Sequence, residues 1–261
     1  MPYKNALREK LRQGKPVLGA FFKEMSPNAA EMMGIIGLDF IIVDCEHSPM
    51  AAETAGEIYR AAQLYSVSTL TRIGENNQQT IQKYLDAGSE GVQIPLINTA
   101  EAAQAVVDAV KYPPVGKRGM AGPRLAGYGR ITPADFIQQW NEESLVCIQI
   151  ETPEGIANCP GILQVPGIDI VFFGPMDLSV ALGYPGQVSH PEVVSVIEEL
   201  GDQVIKAGKV AGTIVSNLDQ YKQYRGRGFL FCASVVTNFL MQGARDYVST
   251  ISEYEKSLGD P

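Results

Sequence analysis

Short apolar runs alternate with longer amphipathic stretches along the whole chain. About eight of these runs resemble strands: PVLGAFF, FIIVD, STLTRI, GVQIPL, LVCIQIE, DIVFFG, KVAGTIV and FLFCAS. Their residues are apolar almost continuously rather than in alternation, which is typical of strands buried on both faces. The stretches between them, such as AAETAGEIYRAAQLY, repeat apolar residues at helical spacing. This alternation predicts a parallel sheet whose strands are connected by helices.

About eight strand–helix units in 261 residues match the size of a closed barrel. An open, doubly wound sheet is the alternative, but no G-x-G-x-x-G motif follows the first strand. We therefore predict an α/β fold, a (β/α)8 TIM barrel that forms a single domain over residues 1–261.

Two segments depart from the repeating pattern. Residues 116–133, GKRGMAGPRLAGYGRITP, form a loop that is too long for an ordinary connection between a strand and a helix. The last stretch, residues 235–258, predicts one extended helix with an apolar stripe. The stripe consists of Val236, Phe239, Leu240, Tyr247, Val248, Ile251 and Tyr254. This helix either packs on its own barrel or contacts, and is exchanged with, another subunit.

Composition and charge exclude several classes of partner. The net charge is −8 and there is no Lys/Arg cluster, so we expect no nucleic-acid ligand. No run approaches the ~18 apolar residues of a membrane span. The N-terminus lacks the apolar core of a signal peptide, and the four cysteines form no C-x-x-C pair. We expect a cytoplasmic protein without disulfides or a zinc site.

Polar residues collect where the predicted strands end. In a barrel, the carboxyl ends of all strands meet at one mouth, where active sites lie. The polar residues at these ends are Asp44, Glu46, His47, Arg72, Gln149, Glu151 and Asp177. Up to about 130 residues separate them in sequence, yet the barrel would bring them to the same face.

Glu151 and Asp177 are the candidate metal ligands. Either residue alone is more often a helix cap or a loop carboxylate. Two carboxylates at neighbouring strand ends repel each other unless a cation or a proton lies between them. Oxygen ligands without a Cys or His cluster favour Mg²⁺ or Mn²⁺ over zinc. The pair therefore predicts a metal site with positions open for a chelating substrate.

His47, Arg72 and the turn at Gly174–Ser179 allow a plain and a functional interpretation. A lone histidine near a strand end is more often structural, but acids beside His47 would raise its pKa and make it a base. Arg72 could merely pair with a carboxylate, or it could stabilise a substrate oxygen that becomes anionic. The turn could be a simple cap, or a helix start that binds a carboxylate.

Several motifs together resemble the HpcH/HpaI aldolase family. They are VDCEHSP, TRIG, YLDAG, YPPVGKRG, IQIET and FFGPMDLSVALG, in the family's order and spacing over nearly the whole chain. The resemblance implies a metal-dependent barrel enzyme that acts on 2-oxo acids. The reaction that it implies is reversible cleavage of a 4-hydroxy-2-oxo acid to pyruvate and an aldehyde, with Mg²⁺, Mn²⁺ or Co²⁺ as the expected cofactor.

The resemblance also assigns roles to residues. It makes Glu151 and Asp177 the metal ligands, His47 the proton acceptor, and Arg72 the stabiliser of the transition state. The substrate is held by four residues: Gln149, Met176 through its backbone, Asp177 and Arg72.

Three acids receive supporting roles. The resemblance makes Asp86, in YLDAG, the acid that increases the basicity of His47. Since Asp86 is predicted at the opposite face of the barrel, it would reach the His47 of a neighbouring subunit. Asp44 and Glu46 are expected to fix the histidine ring and the waters around the metal. Family members form homo-oligomers, a hexamer being suggested, with exchanged C-terminal helices.

Two features differ from the family, and three competing hypotheses stay open. Cys45 stands where the family often has Gly, and the loop with Arg118 and Arg124 aligns with no single substrate class. The aldehyde is therefore not predicted. A Schiff-base aldolase would need a lysine inside the barrel, for which Lys23 is the candidate. The second hypothesis is a barrel that binds a 2-oxo acid without catalysis, and the third is a lyase or hydrolase acting on an acyl-CoA.

Overall fold

Eight parallel strands close into a barrel in a computed structural model of the chain, which describes residues 4–258. Each strand pairs with its neighbours in chain order, and β1 pairs with β8. The predicted (β/α)8 barrel is confirmed. The ends of the predicted domain, residues 1–3 and 259–261, lie outside the described residues. The strands are β1 (Val17–Phe22), β2 (Phe40–Asp44), β3 (Ser68–Arg72), β4 (Gly91–Ile94), β5 (Leu145–Gln149), β6 (Ile170–Phe173), β7 (Val210–Ile214) and β8 (Phe231–Val235).

Helices cover the outside of the barrel, and most of them follow a strand. A short 3₁₀ turn, Arg124–Ala126, lies within the long loop. The helices are α1 (Ala6–Arg12), α2 (Pro27–Ile35), α3 (Ala52–Leu64), α4 (Gln78–Ala87), α5 (Ala100–Val110), α6 (Pro133–Glu143), α7 (Pro153–Ile162), α8 (Pro175–Ala181), α9 (Pro191–Lys206), α10 (Leu218–Gly226) and α11 (Val236–Ser257).

Aromatic side chains fill the barrel interior. Phe40 and Phe231 stack with ring centroids 4.0 Å apart, and Phe172 meets Phe231 edge-on at 6.1 Å. All three side chains are buried. Gly19 on β1 leaves room for this packing, because a Cβ there would lie 2.5 Å from the Phe40 ring. Since the interior is filled, a ligand site has to lie above it, at the carboxyl ends of the strands.

Capped helix starts position the loops at the mouth. Thr152 Oγ1 accepts the N–H of Gly155 at the start of α7, and Asn217 Oδ1 accepts the N–H of Gln220 at the start of α10. Such caps satisfy N–H groups that the first helical turn leaves without partners. Helix α8 begins with Pro175, whose ring suits the first helical position. The residues that directly precede these helices are thereby held in place.

A buried arginine anchors the start of the long loop. Arg118 is 2% exposed, and its guanidinium lies 4.8 Å from the ring centroid of Tyr112 and 4.4 Å from that of Trp140. Its Nη2 binds Asp86 Oδ1 at 2.6 Å. The contact joins the loop to the last turn of α4.

The C-terminal helix is as long as predicted, but it does not pack its stripe on its own barrel. Val236 is buried, whereas the exposed fraction rises to 42% at Phe239 and 71% at Tyr247. Val248, Ile251 and Tyr254 are exposed as well. Only the base of α11 contacts β1 and β8 closely. The alternative in which this stripe packs on its own barrel is therefore wrong.

Within residues 4–258, no helix is both long and apolar enough to cross a membrane.

The close packing of α9 generates a prediction about stability. A Cβ on Gly201 would lie 2.2 Å from Phe229, so Gly201→Ala should destabilise the barrel by about 1–3 kcal/mol. Gly226→Ala in α10 is the matched control, because no atom lies within 4 Å of a Cβ there. Thermal denaturation should show a clearly lowered midpoint for the first variant and an unchanged or raised midpoint for the second. Equal midpoints would contradict the packing described for α9.

Candidate active site

The structure brings all but one of the sequence-predicted site residues to the carboxyl ends of the strands. Asp44 and Arg72 are the last residues of β2 and β3, where they face each other in register. Glu46 and His47 follow β2, Gln149 ends β5, and Glu151 comes two residues later. Asp177 lies in the first turn of α8, directly after β6, beside Met176.

Asp44 holds Arg72 in a bidentate ion pair. Arg72 Nε lies 3.0 Å from Asp44 Oδ1, and Nη2 lies 2.7 Å from Oδ2. Burial alone would raise the pKa of Asp44, but the hydrogen bonds and charge of Arg72 outweigh it and hold the pKa below 3.8. The Arg72 guanidinium also lies 4.6 Å from the Phe21 ring centroid. The arginine is thus fixed at the mouth by a charged partner and an aromatic face.

The loop after β2 is shaped by the same carboxylate. Asp44 Oδ1 accepts the backbone N–H groups of Glu46 and His47, each at 3.2 Å. The predicted contact from Asp44 to the histidine ring is absent among the described contacts, because both carboxylate oxygens are taken up by Arg72 and this loop. Asp44 therefore places His47 through its backbone.

Glu46 is the acid that lies beside the histidine ring. Its Oε2 is 3.6 Å from His47 Nε2 and 3.3 Å from Arg72 Nε, within ion-pair range but without a hydrogen bond. The His47 side chain is 56% exposed and faces the open mouth. A histidine that is exposed in this position can exchange a proton with a bound molecule.

Glu151 and Asp177 converge on the space above Gly174. A Cβ at Gly174 would lie 2.9 Å from Glu151 Oε2, 3.2 Å from Asp177 Oδ2 and 3.2 Å from Gln149 Nε2. Glycine at this position keeps the space between the carboxylates open. Glu151 is 4% exposed, and burial first and the charge of Asp177 second raise its pKa. Two acids that repel in this way favour a proton or a cation between them.

The neighbours of Glu151 hold its carboxylate in one orientation. Leu96 N–H donates to Oε1 at 3.1 Å, and the Gln149 amide donates to Oε2. Gln149 in turn accepts a bond from Gln93 Nε2 at 2.6 Å. Gln93 was missed from the sequence, although a glutamine inside the apolar run GVQIPL was a visible signal. This chain of amides fixes the donor set without adding a charge.

The donor set fits a hard divalent ion. Glu151 and Asp177 offer carboxylate oxygens, which Mg²⁺ and Mn²⁺ prefer. Burial and, after it, the charge of Asp177 raise the pKa of Glu151, and a bound cation would offset both effects. In residues 4–258 no group of three or more His, Cys, Asp or Glu side chains is arranged to hold a metal. A bound ion would consequently keep positions for water and substrate.

Asp86 is the predicted site residue that the structure does not bring to the mouth. It lies near the end of α4, at the amino end of the barrel, and pairs with Arg118 at 2.6 Å. Within one chain it therefore does not meet His47. Its reach into a neighbouring subunit remains a prediction.

Cys45, in the centre of VDCEHSP, has a structural environment. Its side chain is half-buried and hydrogen-bonds with Tyr84. Burial raises the pKa of the thiol to about 11, so it stays protonated and is a poor nucleophile. The residue contributes to packing behind the loop.

A cavity of about 390 Å³ opens beside these residues. His47, Arg72 and Asp177 line one side, and Met176 contributes to its edge. Glu151 and Gln149 are almost fully buried and do not line this cavity. The apolar part of the wall consists of Phe21, Pro175, Val188, Ile214, Tyr224 and Val235.

Comparison with known proteins gives consistent matches. A family model described as HpcH/HpaI aldolase/citrate lyase matches residues 18–251. A 4-hydroxy-2-oxo-heptane-1,7-dioate aldolase of Klebsiella pneumoniae is 36% identical over 243 residues, which cover 92% of this chain and 91% of that protein. The solved structure of an HpcH/HpaI aldolase from Desulfitobacterium hafniense DCB-2 has 32% identity and a TM-score of 0.86, covering 95% and 96% of the two chains. A family protein from Burkholderia cenocepacia J2315 has a TM-score of 0.89 at 27% identity, covering 95% of this chain and all of that one.

Fold and comparisons together define a carbon–carbon lyase built on a (β/α)8 barrel. More particularly, the chain belongs to the HpcH/HpaI aldolase/citrate lyase family. The chemistry of its aldolases is metal-dependent aldol cleavage to pyruvate and an aldehyde.

The two carboxylates generate a prediction about metal binding. Glu151→Gln should weaken Mn²⁺ binding more than ~100-fold, because loss of a direct ligand exceeds the 10–100-fold cost of losing an outer partner. Glu154→Gln is the matched control, since Glu154 is exposed on the same stretch of chain. Titration followed by electron paramagnetic resonance measures free Mn²⁺. Unchanged affinity in Glu151→Gln would contradict the assignment.

The Asp44–Arg72 pair generates a prediction about pH. Because the folded pKa of Asp44 is lowered, its charged form stabilises the fold above the unfolded value of 3.8, and this stability is lost as pH falls through the folded pKa. Asp44→Asn should cost about 3–5 kcal/mol at pH 7, since Arg72 is left buried without its partner. The gap in thermal midpoint between wild type and variant should narrow from pH 7 to pH 3. A constant gap would contradict the account.

Proposed function

We propose that the chain catalyses reversible cleavage of a 4-hydroxy-2-oxo acid, with Glu151 and Asp177 as the protein ligands of a divalent metal. The convergence of these two carboxylates over Gly174 is the observation that carries the proposal. Mg²⁺, Mn²⁺ and Co²⁺ are the candidate ions, and any of them would act as a Lewis acid that polarises the 2-oxo group.

The 2-oxo acid end of the substrate is placed between β5 and β6. The side-chain amide of Gln149 lies beside the carboxylates and can donate to a substrate oxygen. Helix α8 begins just beyond, so the N–H groups at Met176 and Asp177 belong to its first turn. Such groups lack helical partners and suit a carboxylate.

His47 is the proposed base. In the cleavage direction it takes the proton of the C4 hydroxyl group, which becomes the aldehyde oxygen. The electron pair of the C3–C4 bond moves to C3 and the 2-oxo oxygen, giving the enolate of pyruvate. A proton delivered to C3 then completes pyruvate. Glu46, 3.6 Å from His47 Nε2, stabilises the protonated ring between these steps.

Arg72 is the proposed stabiliser of the enolate. Its Nε and Nη2 are engaged with Asp44, which leaves Nη1 for a substrate oxygen. Because the guanidinium is held in place before the reaction, no reorganisation is needed as charge develops. Removal of one donor to an oxyanion commonly lowers kcat by about 10²–10³-fold.

The competing hypotheses have less support. A Schiff-base mechanism needs a desolvated lysine, but the Lys23 side chain is 38% exposed and lies 3.5 Å from the Asp44 carboxylate. A barrel that only binds 2-oxo acids would have no use for His47 beside Glu46. An acyl-CoA substrate would call for several cations that face its phosphates. Among the described residues that line the cavity, Lys23 and Arg72 are the Lys and Arg side chains, and Arg72 is paired with Asp44.

We also propose a cytoplasmic homo-oligomer. The chain's four cysteines are free thiols, which suits a reducing compartment. Single exposed apolar residues are normal on a protein surface, but the stripe of α11 is a series of them along one helix. Such a stripe favours contact with another subunit. The hexamer implied by the family resemblance rests on that resemblance alone.

A pyruvate-release assay tests the function. Over a panel of 4-hydroxy-2-oxo acids, wild type should release pyruvate, lose activity with a chelator and regain it with Mg²⁺, Mn²⁺ or Co²⁺. His47→Ala should lower kcat by about 10²–10⁴, the usual contribution of general base catalysis. His190→Ala is the matched control, because His190 caps α9 and is not among the residues that line the cavity.

Two results would contradict the proposal. Full activity of His47→Ala would remove the base assignment. Activity that resists the chelator, together with a stable lysine adduct after borohydride treatment with pyruvate, would favour the Schiff-base mechanism.

A further inference from the structure

One polar side chain lies inside the barrel below the mouth, where it cannot touch a bound molecule. Gln93, on β4, is fully buried and is not among the residues that line the cavity. It lies in register between Arg72 of β3 and Cys147 of β5. Most side chains of the barrel interior are apolar. Since a buried amide is costly unless its hydrogen bonds are made, its presence there indicates a task other than packing.

Gln93 belongs to a series of hydrogen bonds that ends at the candidate metal site. Cys147 Sγ lies 3.6 Å from Gln93 Oε1, closer than its other acceptor, the carbonyl oxygen of Ile148 at 3.9 Å. Gln93 Nε2 donates to Gln149 Oε1 at 2.6 Å. Gln149 Nε2 donates in turn to Glu151 Oε2. We call this series, from Cys147 through the two glutamines to Glu151, the amide relay.

The chemistry of its two ends fixes the direction of the amide relay. An ionised carboxylate can only accept, so Gln149 turns its NH₂ group toward Glu151. The Gln149 oxygen then faces Gln93, which presents its own NH₂ group and turns its oxygen toward Cys147. Burial raises the pKa of the Cys147 thiol well above its usual range, so this thiol keeps a proton to donate. Every donor in the relay therefore points toward the site.

The orientation of the Gln149 amide matters to a bound 2-oxo acid. Gln149 Nε2 lies 3.2 Å from the position of a Cβ on Gly174, beside the space on which Glu151 and Asp177 converge. The acid end of an ionised 2-oxo acid presents only acceptors, its carboxylate and carbonyl oxygens. An NH₂ group binds these oxygens, whereas a reversed amide would put its own oxygen against them.

Gln93 is the partner that prevents this reversal. The two ends of an amide side chain have nearly the same shape, so hydrogen bonds decide its orientation. Glu151 is itself a candidate metal ligand, so an ion would compete for the oxygen that accepts from Gln149. The bond from Gln93 involves no candidate ligand and is buried away from substrate and water. It holds the Gln149 amide whether or not the site above is filled.

We propose that Gln93 is a positioning residue that, with Cys147 as the donor to its oxygen, holds the Gln149 NH₂ group toward the 2-oxo acid. Gln93 acts through Gln149 and touches neither substrate nor metal. The inference rests on the proposed aldolase function and adds two buried residues that prepare its substrate site.

Steady-state kinetics test whether Gln93 acts through Gln149. The variants are Gln93→Met, Gln149→Met and the double variant, assayed for pyruvate release from a 4-hydroxy-2-oxo acid at saturating Mn²⁺. Gln93→Met should raise KM about 10–100-fold, the range known for outer partners of metal sites. Its kcat should stay within about threefold of wild type, because the weakened contact is made equally before and during the reaction. In the Gln149→Met background, the same substitution should change KM by less than about twofold.

Cys147 offers a matched pair of variants. Cys147→Ser keeps a donor beside Gln93 and should retain the wild-type KM within about twofold. Cys147→Ala removes the donor and should raise KM about three- to tenfold, which corresponds to one neutral hydrogen bond. Thermal denaturation verifies that each variant is folded.

Infrared spectra of the metal-free protein test the amide relay without any turnover. The S–H stretching band of Cys147 is identified by its loss in Cys147→Ala. Because a hydrogen bond lowers the stretching frequency of its donor, this band should move to higher frequency in Gln93→Met. An unchanged band would show that the thiol does not bind Gln93, and the relay as proposed would be wrong.

Two kinetic results overturn the inference while the aldolase proposal stands. An unchanged KM in Gln93→Met shows that Gln149 is held without Gln93. An equal rise in KM with and without the Gln149 amide shows that Gln93 acts by another route, such as general support of the barrel. If the wild type cleaves no 4-hydroxy-2-oxo acid, the proposed function fails and the inference fails with it.

Discussion

The site depends on the repulsion between two carboxylates that the barrel forces together. Glu151 is buried beneath the mouth, and Asp177 faces it across Gly174. Burial and the neighbouring charge both oppose ionisation of Glu151, so its pKa is raised. A cation between the two acids removes both penalties at once. The surrounding amides of Leu96 and Gln149 hold the carboxylate in position without competing for that charge.

The charge of Arg72, by contrast, is balanced by a side chain of the protein itself. Arg72 is almost buried, yet Asp44 pairs with it through two hydrogen bonds, and both remain ionised. The mouth therefore contains one pair of facing carboxylates, Glu151 and Asp177, and one complete ion pair between Asp44 and Arg72. This difference supports the proposal that the first pair binds a metal and that the second positions an arginine.

Much of the fold and part of the site could be predicted from the sequence, for physical reasons. Strands buried on both faces must be apolar throughout, so the strands FIIVD and IVFF could be predicted from the sequence. Since the carboxyl ends of barrel strands meet at one mouth, the meeting of the polar residues at these ends could be predicted as well. The pairing of Asp44 with Arg72 could not be predicted from the sequence, because it depends on the register of β2 against β3. Asp86 pairs with Arg118 through a long loop that has no periodicity.

The central claim, that Glu151 and Asp177 share a divalent metal, is tested most directly by crystals grown with Mn²⁺ and pyruvate. Diffraction data collected above the manganese absorption edge locate the ion by its anomalous signal. The account predicts one strong peak within coordination distance of both carboxylates, above Gly174, with pyruvate beside it. A peak elsewhere, or pyruvate bound to Lys23 with no peak between the two acids, would contradict it.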